Sequence, residues 1–340
     1  MFHSFFYPIL FFICLVHQNY LRILVLMGVR PTLLLKAKIR PATHYARACH
    51  LISLFDLYSL HIVSSWFSAF YAIHLFEKTR SLPYKQGELM LLSNCIQDEL
   101  LWNGYTVRLF IYPQTDSDAE KILLLHGWDG RSIMFRQLAQ KLQSQGYSVF
   151  APDLPAHGIS TGKKTSFYDL ARFILQMTEH YGNFSIIVGH STGGLIGCMA
   201  ALQGLTFKGM VLISSPSGYG KMVDRYVAVH RLPTRISAAM KKIYRLRYGV
   251  HPDLIGPPLY HEIKQPVLIV HDIEDISLGM EHANELNNAF TNSQLVTTQG
   301  KGHNGALRDA EIFNHLSRFV LQTINNEDFY SLDKKIFHQK

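Results

Sequence analysis

The sequence has few cysteines and few charged residues for its length, and both shortages exclude whole classes of protein. Only four cysteines occur in 340 residues, and none forms a Cys-x-x-Cys pair. This scarcity argues against a structural zinc site or a disulfide-stapled scaffold, and it predicts a reducing, cytoplasmic location. Charged residues make up 17% and hydrophobic residues 48% of the chain, which excludes wholesale disorder. No basic tract is interleaved with aromatic residues, so nucleic acid is not an expected partner.

The amino-terminal region is apolar and basic, and it leaves the relation to a membrane open. Residues 1–56 form an extension whose apolar stretch 5–16 is too short to cross a bilayer. A membrane anchor and translated sequence upstream of a start at Met27 are both consistent with it. Residues 57–76 are apolar with a polar stripe at helical spacing, which predicts an amphipathic helix within 57–80. We expect this helix to pack on the protein or lie in a membrane interface, with a transmembrane span as the alternative.

From residue 88 onward, strand-like and helix-like segments alternate. Short apolar runs typical of buried strands are separated by amphipathic stretches long enough for crossover helices. This alternation predicts an α/β fold with a mostly parallel central sheet, covered by helices on both faces, in a core of residues 88–322. The predicted strands are 106–112, 121–125, 147–152, 185–189, 209–214, 266–270 and 294–298.

The alternation lapses between residues 215 and 265, where basic residues predominate. We interpret 215–265 as a helical insertion that lies over the active site as a cap. Within it, the sequence predicts a helix at 236–246 and a loop at 252–258. The core then resumes and closes with a predicted helix at 306–321, and residues 325–340 are a polar tail.

The stretch from Gly189 to Gly193 reads Gly-His-Ser-Thr-Gly and lies between a strand-like and a helix-like segment. A Gly-x-Ser-x-Gly sequence in this context predicts a nucleophile elbow, a sharp turn that exposes the serine hydroxyl. Gly189 and Gly193 would be required because a Cβ at either position would collide with the adjoining strand or helix. Ser191 is therefore the candidate nucleophile.

A base and an acid follow the serine in the chain, each after a core strand. His303 lies in a glycine-rich loop, and a serine hydroxyl needs such a base to remove its proton. The acid must hold the histidine tautomer and stabilise the imidazolium. Asp275 is the preferred acid because it stands on the loop that leaves a strand, and Glu274 and Asp272 are local rivals. The order serine, acid, histidine differs from that of the best-known serine proteases.

The oxyanion would be bound by two backbone N–H groups. One belongs to Thr192, at the start of the helix after the serine, and the other to Trp128, which follows the strand-ending pair His126-Gly127. We expect the sequence Asp-Leu-Pro-Ala-His-Gly at 153–158 to form a turn that braces the Trp128 loop. His157 in this turn is a less favoured candidate base.

These motifs, HGW at 126–128, DLPAHG at 153–158, GHSTGG at 189–194, the late Asp275 and GKGH at 300–303, together resemble the α/β-hydrolase superfamily. They look most like small bacterial serine hydrolases related to esterases, lipases and lysophospholipases. The resemblance covers roughly residues 57–321. It implies the fold and the triad but no substrate. Similar enzymes often have an apolar helix before the core, which supports assigning 57–76 to the enzyme.

The sequence departs from the family pattern at two positions. Asp272 replaces a glycine found in many relatives. Thr192 stands where methionine, glutamine or phenylalanine is frequent, so its side chain is expected to line the pocket mouth while only its N–H takes part in chemistry.

Hydrolysis of a carboxylic ester or thioester through an acyl-enzyme is the leading functional hypothesis. The apolar helix and cap predict a hydrophobic acyl group, with lipids among the candidate substrates. The net charge of +8 suits a membrane surface as a further partner, or a solvated basic face. Carbon–carbon bond hydrolysis or perhydrolase chemistry on the same triad is an alternative, and a non-catalytic binding module is an alternative of another class. No metal or organic cofactor is implied, since the triad and backbone donors suffice.

Overall fold

The core of the protein is an eight-stranded sheet, described by a computed structural model that covers residues 65–80, 84–92 and 95–326. The strands are β1 (Ile96–Trp102), β2 (Tyr105–Tyr112), β3 (Lys121–Leu125), β4 (Ser148–Pro152), β5 (Ile186–His190), β6 (Gly209–Ile213), β7 (Val267–Asp272) and β8 (Ser293–Thr298). Their spatial order is β1-β2-β4-β3-β5-β6-β7-β8. β2 pairs antiparallel with both β1 and β4, and all pairs from β4 to β8 are parallel. The predicted fold class is confirmed.

Helices cover the sheet on both faces. Those of six or more residues in the described ranges are α1 (Ser65–Phe76), α2 (Gln86–Leu91), α3 (Arg136–Gln143), α4 (Phe167–Tyr181), α5 (Thr192–Ala201), α6 (Tyr219–Val229), α7 (Thr234–Tyr248), α8 (Met280–Ala289) and α9 (Ala310–Ile324). Side chains of a strand alternate between faces, so Leu123 and Leu125 of β3 join the apolar cluster that contains α4 and α5. Ile122 and Leu124 join the opposite cluster with α3 and α9. This two-sided burial explains why β3, β5, β6 and β7 read as continuous apolar runs.

The segment between β6 and β7 is an insertion built from α6, α7 and two short helical turns, Pro252–Leu254 and Pro257–Tyr260. Two expectations for this region need correction. The loop expected at 252–258 contains the first turn and the start of the second, each of which begins with a proline whose fixed φ suits a helix start. Helix α6 was not expected, although its buried residues Tyr219, Val223 and Val227 recur every four positions, as they do on one face of a helix.

Helix α1 packs against α7 of the insertion. After α1, Glu77 is buried and accepts hydrogen bonds from Tyr244 Oη (3.2 Å) and Arg247 Nη1 (3.0 Å). Arg80 then binds Asp129, with Nε 2.7 Å from Oδ2. No helix of the described ranges is long and apolar enough to cross a bilayer. Residues 57–64 of the predicted helix, the extension 1–56 and residues 327–340 of the tail lie outside the described residues.

Two further elements differ from expectation. Strand β1 was not expected because it is a sheet edge on which four of seven side chains are exposed, apolar ones among them, so it shows no clear alternation. The signal for it was the Asn103-Gly104 pair, which adopts positive φ at both positions and closes the hairpin to β2. The closing helix begins at Ala310 rather than 306, because the Asp309 side chain caps it by accepting from the N–H groups of Glu311 and Ile312.

The candidate catalytic residues all follow the carboxyl ends of parallel strands. Trp128 follows β3, Ser191 follows β5, Asp275 follows β7 and His303 follows β8. In an open parallel sheet these loops share one edge, which is where ligands bind.

Candidate active site

Ser191 occupies the sharp turn between β5 and α5. Its backbone has φ 52° and ψ −128°, a combination that is strained for any residue with a Cβ. The turn is held by a hydrogen bond from Ser191 N to Ile213 O of 2.8 Å. A Cβ at Gly189 would lie 2.4 Å from Gly194 Cα, and a Cβ at Gly193 would lie 2.1 Å from Leu125 O. Neither position has room for a side chain, so the turn depends on both glycines.

His303 and Asp275 are joined by a hydrogen bond of 2.7 Å between Nδ1 and Oδ2. The Asp275 side chain is completely buried, whereas that of His303 is 19% exposed. Oδ1 of Asp275 accepts from the N–H groups of Ser277 (2.8 Å) and Leu278 (3.0 Å). Because an ionised carboxylate only accepts, the proton of this contact resides on Nδ1 and leaves Nε2 with a free lone pair. That is the tautomer a general base requires.

The two rival acids make other contacts. Asp272 Oδ2 accepts from Thr298 Oγ1 (2.7 Å) and from the N–H of Lys301 (2.9 Å), while Oδ1 accepts from the N–H of Glu274 (3.0 Å). Burial acts to raise the pKa of Asp272, but these hydrogen bonds outweigh it and keep the pKa below its usual value. Glu274 is exposed and accepts from Gln299 Nε2. Asp272 thus links the loop of the acid to the loop of the histidine.

His190, the residue before Ser191, links the elbow to the histidine loop, a contact not expected from the sequence. Its Nε2 lies 2.9 Å from the carbonyl oxygen of His303. Burial lowers the pKa of His190 to about 4, so the ring is neutral near pH 7. A neutral ring that faces a carbonyl carries its proton on the facing nitrogen, so Nε2–H donates. The two rings are 5.0 Å apart between centroids.

The backbone N–H of Trp128 donates to Thr192 Oγ1 at 2.7 Å. The two residues predicted to supply the oxyanion donors are therefore neighbours in space. The Trp128 N–H already has an acceptor, the Thr192 hydroxyl. Thr192 is 3% exposed, so this contact is shielded from water. From the sequence, only the N–H of Thr192 was expected to take part in the chemistry. In the structure its hydroxyl also accepts a hydrogen bond from the Trp128 N–H. The sequence predicted that Trp128 and Thr192 lie close together, but it gave no signal that the Thr192 hydroxyl would accept from the Trp128 N–H.

The turn at 153–158 contacts the Trp128 loop, which follows β3. His126 Nε2 accepts from the N–H of Leu154 at 2.9 Å. Asp153 Oδ1 accepts from the N–H of Ser132 (2.7 Å) and from Tyr84 Oη (2.8 Å). His157 is buried against Trp128, with ring centroids 5.1 Å apart, and burial lowers its pKa to about 3. So low a pKa disfavours His157 as a base near neutral pH.

Aromatic side chains form a continuous wall from Trp128 to the insertion. Trp128 meets Phe167 edge-on with centroids 5.2 Å apart, and Phe167 meets Tyr219 at 5.1 Å. Phe76 of α1 contacts Phe167 at 5.7 Å and Tyr226 at 5.1 Å. The wall is apolar, and it joins the site to both α1 and the insertion. Across the described ranges, no group of three or more His, Cys, Asp or Glu residues could hold a metal ion.

Two family models match the chain. One, described as the alpha/beta hydrolase fold, matches residues 121–254, and the other, described as TAP-like protein, matches residues 256–328. With the sheet order and the strand–elbow–helix arrangement, these matches identify the class: the chain belongs to the α/β-hydrolase superfamily.

Curated relatives match only part of their length. The uncharacterized hydrolase YugF of Bacillus subtilis is 32% identical over 106 residues, which are 30% of this chain and 38% of that protein. A pimeloyl-[acyl-carrier protein] methyl ester esterase of Aliivibrio salmonicida is 32% identical over 27% of this chain and 34% of its own. A monoglyceride lipase of Rattus norvegicus is 32% identical over 27% of this chain and 34% of its own. The chain thus spans little more than a third of these relatives.

Solved structures match over more of the chain. Est1E of Butyrivibrio proteoclasticus, solved with ferulic acid, has a TM-score of 0.55 and 17% identity, covering 67% of this chain and 99% of its own. The esterase RhEst1 of Rhodococcus sp. ECU1013 has a TM-score of 0.51 and 17% identity, covering 68% and 99%. At such identities the similarity shows the fold alone.

Proposed function

We propose that the protein is a serine hydrolase that cleaves a carboxylic ester or thioester through an acyl-enzyme intermediate. The observation that carries this proposal is the 2.7 Å hydrogen bond from His303 Nδ1 to the buried Asp275, on loops at the same sheet edge as the strained elbow of Ser191. Relatives named as an ester esterase and a monoglyceride lipase support the reaction class.

In the proposed reaction, Asp275 holds the proton on Nδ1 of His303, so Nε2 accepts the proton of Ser191 Oγ as this oxygen attacks the carbonyl carbon. The tetrahedral intermediate collapses when His303 returns the proton to the leaving alcohol or thiol, and an acyl-serine remains. A water molecule then gives its proton to His303 and attacks the acyl carbon. Ser191 leaves with the returned proton, and the acid product is released.

The N–H groups of Thr192 and Trp128 would bind the oxyanion. Each such donor contributes about 2.7–4 kcal/mol to transition-state stabilisation in related chemistry. Because the Trp128 N–H donates to Thr192 Oγ1 in the free enzyme, the oxyanion must displace that hydroxyl when it arrives. The Trp128 N–H would thus change its acceptor from the neutral Thr192 hydroxyl to the charged oxyanion, which makes the stronger hydrogen bond.

A hydrophobic acyl group would contact Trp128, the partly exposed member of the aromatic wall, while Phe167 and Tyr219 are buried behind it and support its ring. The insertion between β6 and β7 would cap this wall, since Tyr219 belongs to α6. Lipid esters, including lysophospholipids, are therefore the preferred substrate class. The membrane partner expected from the sequence stays part of this proposal.

A chain-length series tests the proposal. p-Nitrophenyl esters from acetate to laurate, acyl thioesters and lysophospholipids are offered to the wild-type protein and to the Ser191→Ala variant. We expect kcat/KM to rise with acyl length up to the medium chains and to disappear in the variant. If folded wild-type protein turns over none of these substrates, ester hydrolysis is contradicted, and the carbon–carbon hydrolase or binding-module alternatives take its place.

A further inference from the structure

An aromatic and basic surface is formed where helices α1 and α7 meet, which we call the α1–α7 face. It consists of the exposed residues Trp66, Phe67 and Phe70 of α1 and the exposed residues Lys242, Arg245 and Leu246 of α7. Trp66 and Phe70 are one turn apart with ring centroids separated by 6.4 Å. The helices meet at this surface, because Lys242 Nζ lies 5.4 Å from the centroid of the Trp66 ring.

The exposure of this face is unusual for a water-facing helix pair. Phe67 and Phe70 are 47% and 51% exposed, and Leu246 is 72% exposed. Ordinary surfaces carry single apolar residues, whereas adjacent ones mark a contact site. Aromatic rings beside lysine and arginine are the composition of the interfacial layer of a bilayer, where the rings enter the headgroup region and the cations meet lipid phosphates.

The charge of the two helices favours an anionic partner. Neither α1 nor α7 contains an acidic residue, whereas α7 contains five basic ones. Lys241 and Arg247 are neutralised within the protein, by Asp224 and Asp253 and by Glu77 respectively. Of the other three, Arg235 lies in the first turn of α7, and Lys242 and Arg245 are exposed, three positions apart on the same side of the helix.

We propose that the α1–α7 face docks on an anionic phospholipid surface. The face is connected to the candidate site through α1: Arg80, just after this helix, binds Asp129, the neighbour of Trp128. Phe76 at its carboxyl end belongs to the aromatic wall. Docking would therefore hold the aromatic wall and the candidate site close to the membrane, which could supply an ester with a hydrophobic chain. Vesicle binding does not depend on the proposed ester hydrolysis, so the docking and the catalytic reaction can fail separately.

Sedimentation with vesicles tests the docking. The full chain is mixed with vesicles of phosphatidylcholine alone or with added phosphatidylserine. We expect binding to the anionic vesicles that weakens with salt and falls at least about tenfold in Lys242→Glu/Arg245→Glu, because each basic residue near an anionic surface adds to binding. The Trp66→Ser/Phe67→Ser/Phe70→Ser variant should lose binding to the same degree. The matched control is Ile96→Ser/Leu101→Ser, which alters two exposed apolar residues of β1 and should bind like the wild type.

Fluorescence locates the contact directly. The chain has three tryptophans: Trp66 lies on the α1–α7 face, Trp102 is buried, and Trp128 packs edge-on against His157 and Phe167 in the candidate site, away from this face. Lipids with brominated acyl chains should quench the wild-type emission, and Trp66→Phe should abolish this quenching without changing hydrolysis of a soluble short-chain ester. Lack of vesicle binding by the full chain overturns the proposal. Unchanged binding of the two face variants, or quenching that persists in Trp66→Phe, also overturns it and assigns any binding to another part of the chain, such as residues 1–64.

Discussion

Replacing Asp275 with asparagine separates the chemical role of this residue from its structural role. An asparagine oxygen can keep the hydrogen bonds from the N–H groups of Ser277 and Leu278, which are 2.8 and 3.0 Å from the present Oδ1. The amide NH2 then faces His303 Nδ1 across the present 2.7 Å contact. Two donors cannot face each other, so the imidazole must move its proton to Nε2. A ring protonated on Nε2 cannot remove the proton of Ser191.

The loss expected from this tautomer change is large. The corresponding substitution in serine proteases lowers kcat about 10⁴-fold, or about 5.4 kcal/mol in activation free energy. We expect a fall in kcat of about 10³–10⁴-fold for Asp275→Asn on a p-nitrophenyl ester, with KM little changed. Folding stability should change by only about 1 kcal/mol, since shape and backbone contacts are kept.

The rival acids supply the controls. Glu274→Gln alters an exposed side chain and should stay within about twofold of wild-type kcat. Asp272→Asn should lower kcat moderately through movement of the two loops, and should lower the thermal midpoint as well, because its carboxylate accepts from Lys301 N and Thr298 Oγ1. The reasoning is refuted if Asp275→Asn keeps more than a tenth of wild-type kcat, or if Glu274→Gln is the inactive variant.

Three further predictions follow from buried contacts. First, Gly193→Ala should lower kcat/KM at least about 100-fold and destabilise the fold, because its Cβ would lie 2.1 Å from Leu125 O; near-wild-type activity would contradict the elbow geometry. Second, Thr192→Val should reduce stability by about 1 kcal/mol through the orphaned Trp128 N–H while kcat/KM stays within about threefold; a fall of more than tenfold would give the hydroxyl a direct part in oxyanion binding. Third, burial lowers the pKa of His126 and His190 to about 4 and of His157 to about 3. Since these histidines bind protons more readily when unfolded, stability should fall as pH drops from about 6.5 towards 4, by up to about 1.4 kcal/mol per pH unit for each group. Urea unfolding at pH 7, 6 and 5 checks this trend, and a pH-independent unfolding free energy would contradict it.

The elements that the sequence predicted well are those whose signal is local. The apolar runs of β3, β5, β6 and β7 are buried on both faces, so hydrophobicity alone marks them. The elbow is likewise local, because the steric demand at Gly189 and Gly193 arises within a few residues of the turn and from the adjacent strand. Asp275 and His303 could be nominated because each follows a core strand, and the structure brings them within hydrogen-bonding distance.

What the sequence did not predict depends on contacts between distant positions or on weak patterning. Strand β1 is half exposed and pairs only through its hairpin, so its alternation is faint. The contact of His190 Nε2 with His303 O joins residues 113 positions apart and requires the folded sheet. The pairing of the Trp128 N–H with the Thr192 hydroxyl is of the same kind. In the sequence, Asp272 stood out only because many relatives have a glycine at this position. The three-dimensional structure reveals that its carboxylate joins the loop of Asp275 to the loop of His303.

Trapping the acyl-enzyme tests the central claim most directly. The protein is treated with a fluorophosphonate, and separately with a slowly hydrolysed ester, and the intact mass and the modified peptide are determined. Ser191 should carry one adduct per chain in both cases, and Ser191→Ala and heat-unfolded wild-type protein should carry none. An adduct on another residue, no adduct on folded wild-type protein, or ester turnover retained by Ser191→Ala would contradict the account.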